Sequence, residues 1–138
     1  MAEQLKILVV DDDPDIIDSL TMVLESGGYT VITARDGEEA LVKIQTARPK
    51  LLILDLLMPR KDGFAVLKDL QFEEKWAPCK EQMFVIVLTS VREEFARRRY
   101  YLETAMELGS DDFLEKPISP QELLDTVARF VRPSGQTV

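Results

Sequence analysis

The stretch ILVVDDDPDI, residues 7–16, runs four apolar residues into three carboxylates and then into a proline. The β-branched run reads as a buried strand, and Asp13 before Pro14 reads as a helix start, because an Asp side chain can cap free N–H groups while proline suits the first helical turn. One strand therefore delivers Asp11, Asp12 and Asp13 to the loop that leads into a helix. Like charges stacked at the end of a buried strand need a compensating partner, and that need directs the search for function.

Outward from this stretch the same alternation repeats. The apolar runs are LKILVV (5–10), YTVIT (29–33), LLILD (51–55), MFVIVL (83–88) and DFL (112–114), and the middle three are continuous enough to be covered on both sheet faces. Helix starts are marked at Asp13-Pro14, at Asp36 with Glu39 three residues on, and at Ser119-Pro120 with Glu122 completing an S-x-x-E capping box. Gly27 and Gly109 fit as helix stops. The first helix places Ile17, Leu20 and Leu24 on one face, and the last repeats the pattern with Leu123, Val127 and Phe130. Five strands and five helices in strict alternation predict an α/β fold. It is a doubly wound (βα)5 three-layer sandwich on a five-stranded parallel sheet, which gathers ligands at the carboxyl ends of its strands.

The chain has 138 residues, one domain's worth, with 17 Lys and Arg against 25 Asp and Glu, a formal charge of −8, and no histidine. This balance argues against a nucleic-acid surface and for cationic partners or a metal ion. The single Cys79 has no partner for a disulfide, for Cys/His catalysis or for a zinc site, so a reducing, cytoplasmic setting is expected. The amino terminus lacks a basic leader, and MFVIVL is too short to span a membrane. Residues 1–132 are expected to form the domain and 133–138 a flexible tail.

In the predicted sheet, strand 1 ends in Asp11, Asp12 and Asp13, strand 3 in Asp55, strand 4 in Thr89 and Ser90, and strand 5 leads to Lys116-Pro117. Carboxylates converging without compensation would raise one another's pKa values, whereas a divalent cation turns the repulsion into coordination. Oxygen-only ligands without His or Cys point to Mg²⁺, with Mn²⁺ as a substitute. Taken singly, these residues have plainer readings: Asp13 as a helix cap, Thr89 as a turn hydroxyl, Lys116 as a solvated lysine. Their joint placement carries the information.

VVDDD, LLILDLLMPRKDG, VIVLTS and GSDDFLEKP, in this order, resemble the receiver domain of two-component response regulators across residues 5–131. The resemblance implies a flavodoxin-like fold. It implies that Asp55 accepts a phosphoryl group from a phosphohistidine on a sensor histidine kinase or a histidine phosphotransfer protein. It further implies that Asp12, Asp55 and the backbone carbonyl of Leu57 ligate Mg²⁺, with Asp11 acting through a bound water. Lys116 would pair with the phosphoryl group or with Asp55, and Thr89 would hydrogen-bond a phosphoryl oxygen. Thr89 and Phe113 occupy the family's switch positions, remodelling the surface of the fourth helix, fifth strand and fifth helix for a downstream protein target or a homodimer. Phe113 lacks the hydroxyl of the tyrosine frequent there, so the switch would rest on packing. The implied role is regulatory, as a phospho-acceptor rather than an enzyme.

The chain departs from the family pattern on both sides of strand 4, where QFEEKWAPCKEQM and VREEFARRRYYLETAMELG are each a few residues long. The second is expected to extend the fourth helix, with Tyr101, Leu102, Ala105 and Leu108 as its apolar face. Arg97, Arg98 and Arg99 are read there as a solvated face, with contact to an acidic partner as the sharper alternative. Leu57 and Val91, at positions that modulate self-dephosphorylation in the family, cannot orient a water by hydrogen bonding, so a long-lived phosphoryl state is expected.

Competing readings are a haloacid-dehalogenase-type phosphatase using Asp11 and Asp13, a flavodoxin-like cofactor binder, and a receiver-like module that no longer needs phosphorylation. The first leaves Asp55 unexplained, the second wants a phosphate loop where DDDPDI stands, and intact Asp12, Asp55, Thr89 and Lys116 argue against the third. No DNA-binding helix pair fits in the seven residues after Val131, so a stand-alone regulator is expected over a receiver cut from a longer chain.

Overall fold

The computed structural model describes residues 5–90 and 95–133, and of residues 95–98 the backbone alone. The strands are β1 Lys6–Val10, β2 Thr30–Ala34, β3 Leu51–Asp55, β4 Phe84–Ser90 and β5 Asp112–Lys116. The long helices are α1 Pro14–Ser26, α2 Gly37–Ala47, α3 Gly63–Phe72, α5 Phe95–Glu107 and α6 Pro120–Ala128, while a single turn, α4 Ala77–Lys80, precedes β4. All strand pairs are parallel, in the order β2-β1-β3-β4-β5.

Because side chains alternate along a strand, successive residues feed opposite layers. Ile7, Val9, Leu51, Ile53, Ile86 and Leu88 meet Leu20 and Leu24 of α1 and Leu123 and Val127 of α6 on one face. Leu8, Val10, Leu52, Leu54, Val85 and Val87 meet residues of α2, α3 and α5 on the other. The result is the expected doubly wound three-layer sandwich, with the strand order reversing between β1 and β3.

The helix caps follow the local sequence. Asp13 Oδ1 accepts from Asp15 N at 2.9 Å, Asp36 Oδ1 from Glu39 N at 2.9 Å, and Ser119 Oγ from Glu122 N at 3.1 Å. Gly27 caps α1 with an ordinary φ of −84°, and it is Gly28, at φ 93°, that takes the left-handed conformation a side chain would resist. Tyr29 is buried below the turn and its hydroxyl donates to Val131 O at 2.9 Å, which ties the segment after α6 to the start of β2.

Two expectations are corrected. YTVIT does not lie in the covered centre of the sheet: β2 is an edge strand, with only Ala34 of its five residues buried, and β1 takes the interior place instead. The insertion 71–83 adds structure to the five expected helices, folding as a 3₁₀ turn, Glu74–Trp76, followed by α4. Pro78 is compatible with so short a helix, and Trp76, Cys79 and Met83 are buried against the core that holds Leu70. Lys80 Nζ donates to Gly109 O at 2.8 Å, fastening the insert to the end of α5.

On α5, Ala105 and Leu108 are buried as the apolar face requires, while Tyr101 and Leu102 are half-buried. Arg99 is exposed and pairs with Glu103 one turn on, at 2.9 Å. The side chains of Arg97 and Arg98, Val91 and residues 134–138 of the expected tail lie outside the described residues.

Candidate functional site at the carboxyl ends of the strands

The register that pairs Val10 with Leu54 brings the residues following them, Asp11 and Asp55, side by side at the point where the strand order reverses. That is where open α/β sheets form a crevice. The pairing of Ser90 with Lys116 brings the lysine to the same end of the sheet. One carboxylate oxygen from each of Asp11, Asp12 and Asp55 lies within 4.8 Å of the others. Around them opens a cleft of about 260 Å³ whose wall includes Leu57, Thr89, Ser90, Tyr101 and Lys116.

Asp11 is fully buried, its Oδ1 accepting from Asp13 N at 3.0 Å, whereas Asp12 is exposed. Asp55 is 6% exposed, and its Oδ1 accepts from Leu57 N at 3.3 Å. Lys116 Nζ lies 2.7 Å from Asp11 Oδ2 and 3.3 Å from Asp55 Oδ2. The lysine, expected to serve Asp55, thus bridges both carboxylates and stands closer to Asp11, the more deeply buried charge and the one that most needs an opposite sign.

Burial first, and the neighbouring Asp11 charge second, push the Asp55 carboxyl up to about 7, against the lowering effect of Lys116 and of the Leu57 N–H. For Lys116, burial works against the ammonium, but the hydrogen bond it donates to Asp11 and the charges of Asp55 and Asp11 outweigh it and raise its pKa. Among the described residues the site thus holds more negative charge than Lys116 neutralises, and three carboxylate oxygens within reach of one ion suit a hard divalent cation.

Thr89 is buried, and its Oγ1 has no hydrogen-bond partner among the described residues. A buried hydroxyl without a partner is costly, and one on the wall of an acidic cleft is suited to an incoming oxygen. Phe113 is 38% exposed and does not line the cleft but a separate groove of about 390 Å³ shared with Leu102 and Met106 of α5.

The loop after Asp55 is set by close backbone contacts. Gly63 N donates to Leu56 O at 3.0 Å, and a Cβ at Gly63 would stand 2.3 Å from the carbonyl oxygen of Asp55. Only glycine fits where α3 starts against the end of β3.

The sequence reading placed the carboxylates, Thr89 and Lys116 at this end of the sheet. It missed Tyr101, which α5 carries over the cleft and whose ring packs on Phe64 of α3 at a centroid distance of 5.5 Å. Its place in the apolar helical repeat gave no sign that it would border the site.

The family model for the response regulator receiver domain matches residues 7–128. The alkaline phosphatase synthesis transcriptional regulatory protein PhoP of Bacillus subtilis is 42% identical over 129 residues, which cover 94% of this chain and 49% of that protein. The probable transcriptional regulator ycf27 of Cyanophora paradoxa is 39% identical over 127 residues, covering 92% of this chain and 48% of that protein. The chain thus spans about half the length of the curated relatives it matches. Among solved structures, the chemotaxis response regulator CheY4 of Vibrio cholerae superposes with a TM-score of 0.78 at 31% identity, covering 94% of this chain and all of that one. No helix among the described residues is long and apolar enough to cross a membrane. A parallel sheet in the order β2-β1-β3-β4-β5 that carries an acidic crevice with a lysine and a threonine at its switch point, together with these matches, establishes that the chain belongs to the response regulator receiver domain family of two-component systems.

Proposed function

We propose that Asp55 is the phospho-acceptor, receiving a phosphoryl group from a phosphohistidine on a sensor histidine kinase or a histidine phosphotransfer protein. The observation that carries this reading is the convergence of buried Asp55 with Asp11, Asp12 and Lys116 beside the unpartnered hydroxyl of Thr89. These 138 residues contain no histidine, so the phosphohistidine lies outside them.

An Asp55 oxygen attacks phosphorus in line as the P–N bond to the donor imidazole breaks, and the bonding pair returns to the ring nitrogen. Lys116 reaches Asp55 already and follows the charge onto the phosphoryl oxygens. Thr89 Oγ1 donates to one of those oxygens and gains the partner it lacks. Asp12, Asp55 and the carbonyl of Leu57 would hold Mg²⁺ directly, and Asp11 through a water. When bound, the ion supplies the positive charge that lets carboxylates and a phosphoryl group share one cleft.

Movement of Thr89 toward the phosphoryl group leaves space behind it. Phe113, exposed on β5, is the aromatic that turns inward and alters the face formed by α5, β5 and α6, where a protein target docks. These two long helices are the fourth and fifth of the sequence reading, displaced in number by the short α4.

The test is to incubate wild type and Asp55→Ala with acetyl phosphate, with and without Mg²⁺, and to weigh the intact protein. A gain of one phosphate that requires both Asp55 and Mg²⁺ is expected. A gain that survives the substitution would move the acceptor to Asp11 and revive the phosphatase reading.

A further inference from the structure

The carboxylates, Thr89, Ser90 and Lys116 of the acidic cleft come from strand ends, but one part of its wall does not. Tyr101 sits on α5 and lines the cleft together with Leu57, Thr89 and Ser90. Of the apolar residues around the cleft, Leu56 and Leu88 are 1% and 0% exposed and belong to the core. Leu57, at 40% exposure, and half-buried Tyr101 are the ones that border the mouth. The Tyr101 ring is braced by Phe64 on α3, so α3 and α5 together hold an aromatic residue on the wall of the cleft that Asp55 also lines.

We propose that Tyr101 is a positioning residue that controls the lifetime of the phosphoryl group by limiting water at Asp55. The inference rests on the assignment of Asp55 as acceptor. Hydrolysis requires a water oxygen to approach phosphorus opposite Asp55. Its bond to phosphorus forms as the bond from phosphorus to the Asp55 oxygen breaks, the carboxylate is restored and phosphate leaves with the water's protons. Leu57 has no group to align that water, and the Tyr101 ring occupies the space beside it. The wall acts through its bulk and its apolar face, so the phenol hydroxyl is dispensable and the ring is not.

The experiment loads wild type, Tyr101→Phe and Tyr101→Ala with acetyl phosphate and Mg²⁺, removes the donor, and follows loss of the phosphate mass with time. Thermal unfolding of each variant separates packing from shielding. Tyr101→Phe should retain the wild-type half-life within about twofold, while Tyr101→Ala shortens it at least fivefold. Phe64→Leu, which keeps an apolar side chain but removes the ring that braces Tyr101, should fall between them. An unchanged half-life in Tyr101→Ala overturns the inference, as does a Tyr101→Phe that decays as fast as the alanine variant, since that would assign the effect to the hydroxyl. Half-lives that simply follow the unfolding temperatures across the series overturn it too. If the wild type takes up no phosphate at all, the acceptor assignment itself fails, an outcome distinct from altered decay.

Discussion

At pH 7 the carboxyl of Asp55 sits near its own midpoint, because burial and the Asp11 charge outweigh the pull of Lys116. Between about pH 4 and pH 7 the native state therefore holds a proton that the unfolded chain has released. Folding stability contributed by this group is fully present below the unfolded pKa and is lost as pH rises through the folded one. With divalent ions chelated, the unfolding temperature should fall from pH 5 to pH 8, on the order of 5 °C for a group shifted this far. In Asp55→Asn, which cannot ionise and leaves Lys116 its contact with Asp11, the fall should be smaller, so the variant is the more stable protein at pH 8. Thermal unfolding of both proteins across this range checks the sign; a wild type that gains stability with pH relative to Asp55→Asn would contradict it. Residues of this kind were legible in the sequence because each follows an apolar run, and a parallel sheet must bring such ends together. Two features were not legible. Which carboxylate Lys116 approaches more closely depends on relative burial, and the place of Tyr101 on the cleft wall depends on how α5 crosses the sheet, which helical periodicity does not specify.

Among the elements, the start of α3 is built with no space for a side chain. Gly63→Ala would drive its methyl into the Asp55 carbonyl and the Leu56 Cα. A cost of about 1–3 kcal/mol is expected from overpacking of this kind. Because the strain falls on Asp55, the proposed acceptor, phosphate uptake should slow along with the loss in urea midpoint. The insert before β4 behaves oppositely. Trp76 is 5% exposed and packs with the core, so Trp76→Ala should cost about 3 kcal/mol in urea unfolding. The insert leads into the amino end of β4, remote from the cleft, so uptake by the folded variant should stay within about twofold of wild type. Mass measurement and denaturation on the same two variants separate these behaviours. The insert was visible in the sequence only as extra length, since Trp76, Cys79 and Met83 show no helical or strand period. The edge position of β2 was hidden for a related reason: a short β-branched run looks the same at the rim of a sheet as in its centre.

For the whole molecule, the fold concentrates negative charge at one end of a chain that already carries −8. A cation that binds this end only when the sheet is formed stabilises the native state through mass action. Mg²⁺ at about a hundred times its Kd should add about 2.7 kcal/mol, raising the unfolding temperature by roughly 10 °C for a chain of this size. Asp12→Ala removes an exposed carboxylate, a proposed ligand, without opening the core, so it should abolish most of that gain while leaving the metal-free unfolding temperature nearly unchanged. Calorimetric scans with and without the ion distinguish this from general screening by salt, which sodium at matched ionic strength would reproduce. The gross architecture was readable at this scale because strand and helix signals alternate without interruption from β1 to α6.

The hydrogen bond from Tyr29 to Val131 has a practical consequence. It holds Val131 beside the start of β2, at the amino edge of the sheet, a strand's length or about 16 Å from the acidic cleft. A biotin or a fluorescent fusion placed after Pro133 would therefore project from the far pole. Captured that way on a sensor chip, the protein would present its cleft outward, free to meet a donor in solution.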